Sequence, residues 1–65
     1  MNKKETIALI NIQPHPKYPA SHWIAIITTN LGYCFACTWA TDKPSEQTVR
    51  DVWKTDRKAF DQYIF

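Results

Sequence analysis

Glycine, cysteine and charge of one sign are all scarce in this chain, and each shortage excludes something. One glycine, Gly32, in 65 residues leaves no glycine-rich loop to cradle a phosphate. Two cysteines give no disulfide framework. Eight Lys and Arg against six Asp and Glu leave a net charge of +2, with the two signs interleaved. The basic stripe of a dedicated duplex-DNA binder is therefore missing. Long hydrophobic runs are missing too: nothing approaches the roughly 20 apolar residues of a membrane span. The apolar stretch Thr6 to Ile12 is short, broken by Asn11, and not followed by a small-residue cleavage site, so no signal peptide is expected. These absences lead to the expectation of a soluble, cytoplasmic protein.

What is present is apolar and aromatic. Hydrophobic residues make up 45% and aromatics 14%, the composition of a folded globule rather than a disordered tail. The length suits one small domain, 1–65. A chain this size buries only about 60% of its extended-chain surface. A dimer or partner interface would thus add a meaningful fraction of its stability.

Residues 22–40 carry the clearest signal. Two runs rich in β-branched and aromatic residues, 22–29 and 33–40, flank Asn30-Leu31-Gly32 and read as a hairpin. A three-residue loop needs a left-handed residue at its end, and Gly32 supplies it without steric cost. Thr29 then faces Tyr33, Ile27 faces Phe35, Ala25 faces Cys37 and Trp23 faces Trp39, all on one heavily aromatic face. His22, Ile24, Ile26 and Thr28 fall on the other, opposite Ala40, Thr38, Ala36 and Cys34.

Upstream, Thr6–Ile12 reads as a first strand, apolar on both faces and so suited to cover on both sides. Pro14, Pro16 and Pro19 make residues 13–21 a stiff extended loop. Thr41-Asp42-Lys43-Pro44 leaves the sheet, Ser45 is a good N-cap, and Glu46 complements the helix dipole. A helix is expected over about 46–63, with Val49, Val52, Trp53, Phe60, Tyr63 and Ile64 in one sector of roughly 120°. The fold class is α+β: a three-stranded antiparallel meander with one C-terminal amphipathic helix, βββα. The helix is expected on the aromatic face. The opposite face then presents Ile24 and Ile26 to a partner or a second copy.

Chemistry-bearing sets are few. Cys34-Phe35-Ala36-Cys37 with His15 and His22 is nominally a zinc set, but positions 34 and 37 of a strand point to opposite faces. No metal is expected, and no cofactor. A Cys34-His22-Asp56 catalytic set fails as well, since His22 and Cys34 would stand about 20 Å apart along the strands. No catalytic residue is assigned and the chain is read as a non-enzyme. Asp56 falls near the middle of the helix's apolar sector, where a carboxylate needs a partner or an edge. It reads as an anion presented amid hydrophobic contacts. His15 and Tyr18, held among prolines, read as a rigid recognition edge.

Leu31-Gly32-Tyr33-Cys34-Phe35-Ala36 resembles the signature of the RNA-recognition motif, a Gly-aromatic-small-aromatic run on a central strand. Ile7-Ala8-Leu9-Ile10-Asn11-Ile12 is similar to its companion strand, with Ala8 where an aromatic is expected. The chain departs from that pattern in two further ways. Leu31 replaces the basic residue, and residues 13–21 cannot form the helix the family places between the strands. The resemblance implies base stacking on Tyr33 and Phe35, and the aromatic sheet face they share with Trp23 and Trp39 would make a single-stranded nucleic-acid module. That is the alternative reading, and a zinc-dependent module is a third. The leading one is a small protein that works by stoichiometric protein–protein binding or self-association, through Ile24, Ile26, Asp56, His15 and Tyr18. Its size and style are similar to accessory proteins of phages and mobile elements that block host machinery, the anti-CRISPR and antirestriction proteins among them.

Overall fold

The computed structural model describes residues 4–40 and 42–63. Strand β1 (Ile7–Pro14), β2 (His22–Thr29) and β3 (Cys34–Ala40) form an antiparallel meander, followed by helix α1 (Glu46–Thr55). A 3₁₀ turn, Arg57–Ala59, then leads to a two-residue strand β4 (Asp61–Gln62), which pairs with β3, so that the sheet order is β1-β2-β3-β4. This is the expected βββα arrangement with one short strand added. No helix among the described residues is long and apolar enough to cross a membrane.

The hairpin has the register its turn dictates: Trp23 meets Trp39, Ala25 meets Cys37, Ile27 meets Phe35, and Thr28 meets Cys34. Gly32 sits at φ +88° with open space where a Cβ would stand, so glycine is needed there for its backbone angle alone. The Thr29 hydroxyl, buried under the turn, accepts from the N–H groups of Leu31 and Tyr33, both at 3.3 Å. Asn30 does more than turn the chain. Its side chain accepts from the Thr6 N–H (2.8 Å) and donates to the Lys4 carbonyl (3.0 Å), while its own N–H donates to the Thr6 carbonyl (3.0 Å). The segment before β1 is thereby pinned to the hairpin tip.

Strand β1 departs from the sequence reading. It is an edge strand, and Leu9 on its outer side is 62% exposed, so it is not covered on both faces. Its apolar residues are reconciled by a bulge: Ile7 pairs with Thr29 but Leu9 pairs with Thr28, a one-residue shift. The extra residue turns Ile7, Ile10 and Ile12 all toward the helix side, where they pack on the core.

Helix α1 begins where expected, with the Ser45 hydroxyl accepting from the Thr48 N–H at 3.1 Å. It ends at Thr55, eight residues short of the expected 63. Asp56 takes φ −141°, ψ 69°, outside the helical region, and Thr55 turns its hydroxyl back onto the Asp51 carbonyl at 2.7 Å. Thr and Asp are weak helix formers, and a carboxylate at a helix C-terminus opposes the dipole. Tertiary pairing supplies the rest: the unwound segment gives the β3 edge a partner, and Tyr63 N–H donates to the Cys34 carbonyl at 2.8 Å. Ile64 and Thr41 lie outside the described residues.

The core lies between the helix and the aromatic sheet face, as expected. Ala25, Ile27, Val49 and Phe60 are its buried centre, with Phe35, Trp39, Val52 and Trp53 packed around it. Trp53 stands between Phe35 and Phe60, with ring centroids 5.3 Å from each. Trp23, expected in this core, is instead half-buried at its margin, with the Lys43 ammonium 5.4 Å over its ring. The Arg57 guanidinium lies 3.5 Å from the Trp53 ring centroid and 5.0 Å from that of Phe35, and it is ion-paired with Glu5. The segment before β1 is thus tied, through Glu5 and Arg57, to the aromatic cluster.

Candidate partner-binding surface

The residues singled out from the sequence do not form one site. His15 and Tyr18 come together with His22: the three rings pack pairwise, with centroids 5.5 to 6.3 Å apart. His15 Nδ1 accepts from the backbone N–H groups of Lys17 (3.0 Å) and Tyr18 (3.3 Å), and the Tyr18 carbonyl accepts from Ser21 and His22. The proline loop is therefore tied by its own side chain and presents Tyr18, 55% exposed, from a fixed base.

Ile24 and Ile26 lie on the sheet face away from the helix, yet each is only 6% exposed. They occupy the central strand, walled by Gln13 and Thr38 on either side of Ile24 and by Asn11 and Ala36 on either side of Ile26. This corrects the expectation that they present an apolar surface. Asp56 is corrected as well. The helix stops before it, so it leaves the apolar sector and becomes an exposed C-cap. The base-stacking set fares no better. Phe35 and Trp39 pack against the core beneath the helix, which closes that face as a platform; Tyr33, at the turn, is exposed.

The two cysteines part as the strand geometry requires. Cys34 pairs with Thr28 and Cys37 with Ala25, so the thiols leave opposite faces and cannot share an ion. Burial raises the Cys37 thiol pKa above its ordinary value, and the Asp56 and Asp61 carboxylates push it the same way, which disfavours the nucleophilic thiolate. His22 pairs with Ala40 at the far end of the hairpin from Cys34, so the two share no hydrogen bond across a register of several pairs. Among the described residues no three His, Cys, Asp or Glu side chains converge as a metal set.

The feature that does emerge is the free edge of β1. Antiparallel ladders alternate, and the His15 N–H bonded to the His22 carbonyl (3.0 Å) fixes the phase. By that alternation Gln13, Asn11 and Leu9 direct their backbone groups to β2, while Ile12 and Ile10 direct theirs outward. The same logic on the other side sends Cys34 and Ala36 toward β4, which pairs them. Among the described residues, one edge is therefore capped and the other is open. Edge strands are usually blunted by charge, and β1 (IALINIQP) contains none; it carries only the bulge and a terminal proline.

Two clefts, each about 350 Å³, border this edge on the helix side. One lies between Ile10, Ile12 and the helix start at Pro44, Ser45 and Glu46. The other lies between residues 4–7 and the helix flank of Arg50, Trp53 and Lys54. Helix and strand therefore run antiparallel along one groove, whose far end holds Lys4, Arg50 and Lys54, all exposed. Glu5, also there, is committed to Arg57. Arg50 and Lys54 were not singled out from the sequence, and their i, i+4 spacing beside Trp53 is the signal that could have found them. Lys4 has no such signal, because only the Asn30 clasp delivers it. Comparison with protein families, with curated proteins and with solved structures finds no match for this chain.

Proposed function

We propose that this chain is a non-catalytic binding protein that acts stoichiometrically on a protein partner, and that the open β1 edge is where it does so. The carrying observation is an eight-residue edge strand without a charge, paired on one side only among the described residues. Leu9 within it is exposed, and Leu31 and Tyr33 are exposed at the same end of the sheet. A strand of this kind offers main-chain hydrogen bonds and adjoining apolar contact, the ingredients of strand addition. Accessory inhibitors that work by occlusion share the chain's size and style, and that likeness is one of profile alone. The nucleic-acid alternative loses its platform to the helix.

The test is capture on immobilised protein from a lysate of its source cells, with and without nuclease, repeated with Leu9→Lys. The reading expects a stoichiometric protein that survives nuclease and moderate salt and is lost with the variant. Captured material that disappears with nuclease, or whose retention falls steeply with salt, would transfer the chain to the nucleic-acid class.

A further inference from the structure

Resting on that reading, the geometry points to the kind of partner: an extended peptide segment, acidic at its C-terminal end, added antiparallel to β1 in the groove alongside α1. Three observations converge. The outward backbone groups of Ile10 and Ile12 are spaced to pair with such a strand. The two clefts lie on the helix side of that position, one toward each end, where alternate side chains of an added strand would fall. Charge sets the chemistry. A strand antiparallel to β1 ends near residues 4–7, where Lys4, Arg50 and Lys54 surround the Trp53 and Ile7 walls of the cleft. Glu5, the carboxylate in the lining of that cleft, is engaged by Arg57. Among the described residues no ion pair engages Lys4, Arg50 or Lys54. The opposite end, with Lys43 and Glu46, has no net charge to select anything. Backbone pairing would provide affinity, and the basic end would fix direction and register.

The probe is a synthetic octapeptide of alternating valine and threonine that ends in two aspartates with a free carboxylate. It is titrated to millimolar concentration into the ¹⁵N-labelled chain and followed by amide shifts and hydrogen exchange. Its control ends in two lysines and a carboxamide. The inference expects the acidic peptide to bind at least tenfold more tightly than the control. It also expects Ile10 and Ile12 amide exchange to slow at least tenfold on binding, with Asn11 and Gln13 little changed. Arg50→Glu combined with Lys54→Glu, both on the exposed helix flank, should remove the preference while circular dichroism stays native. Equal binding of the two peptides, or unchanged exchange at Ile10 and Ile12, would overturn the inference. So would an oligothymidylate that displaces the peptide, since it would make the basic end a phosphate patch. If the peptides fail while Leu9→Lys still abolishes capture of a protein, the groove is refuted and stoichiometric binding stands. If the acidic peptide binds with these signatures, the groove is supported whatever the lysate yields.

Discussion

Position 26 separates the structure from the sequence reading most sharply. Taken from the strand pattern, Ile26→Lys would spoil an interface and leave the monomer folded. In the structure Ile26 is 6% exposed, so the same change strikes the fold. Losing a buried isoleucine side chain costs about 1.5–3 kcal/mol in transfer alone, before any penalty for the ammonium. Total stability for a chain of this length is roughly 3–10 kcal/mol, so the variant should lose a large part of it. One neighbour softens the blow. Ile26 is paired with Ala36 and Ala36 with Asp61, so a lysine stem can cross the small alanine toward the Asp61 carboxylate. Ile26→Glu has no such outlet and faces a like charge, so it should be worse by about 1 kcal/mol. Leu9→Lys, at a 62% exposed position, should stay within about 0.5 kcal/mol of the parent. Urea unfolding followed by circular dichroism ranks the three. A native midpoint for Ile26→Lys would refute the burial, and a Glu variant more stable than the Lys variant would refute the Ala36–Asp61 row.

Four further outcomes follow from named contacts. Arg57→Ala removes the guanidinium from Trp53 and Phe35 and should cost about 1 kcal/mol, since the side chain is half exposed; Arg57→Lys should recover little of it in the same urea assay. Asn30→Ala breaks the clasp on residues 4 and 6 and should cost about 1–2 kcal/mol, with faster exchange at the Thr6 amide. Because burial and the two aspartates raise the Cys37 pKa in the folded chain, the stability this contributes is complete below the unfolded thiol pKa. It is lost as pH rises through the higher folded value, so Cys37→Ala should flatten the alkaline limb of a stability–pH curve. For the same reason Asp61→Asn should speed alkylation of Cys37 by iodoacetamide in the folded protein.

The hairpin was legible because its information is local. Gly32 is the one residue free to take a positive φ, and the flanking period-two pattern then sets every pair from Thr28–Cys34 to His22–Ala40. The Ser45 cap was legible for the same reason. What was hidden depended on distant parts of the chain. Phe60 and Tyr63 continue the helical spacing of Val49, Val52 and Trp53, and nothing local reveals that β3 lacks a partner which residues 61–62 can supply. The bulge that turns Ile7, Ile10 and Ile12 to one side left β1 looking apolar on both faces. The meander order already made the strand of Ile24 and Ile26 central, but their burial depends on the neighbours that flank them. Those are Gln13 and Thr38 for Ile24 and Asn11 and Ala36 for Ile26, and the β1 half of that register was not legible. Of the candidate site, none was assigned from the sequence: the i, i+4 spacing of Arg50 and Lys54 was there to be read, whereas the β1 edge and Lys4 depend on tertiary pairing.

Amide exchange along β1 in the free, dilute chain tests the open edge most directly. If β1 pairs on one side only, protection alternates: the Asn11 and Gln13 amides, directed to β2, exchange slowly, and the Ile10 and Ile12 amides, directed outward, exchange close to solvent rates. Uniform protection from Leu9 to Gln13 would mean the edge is already covered, and would contradict a binding protein that works through it.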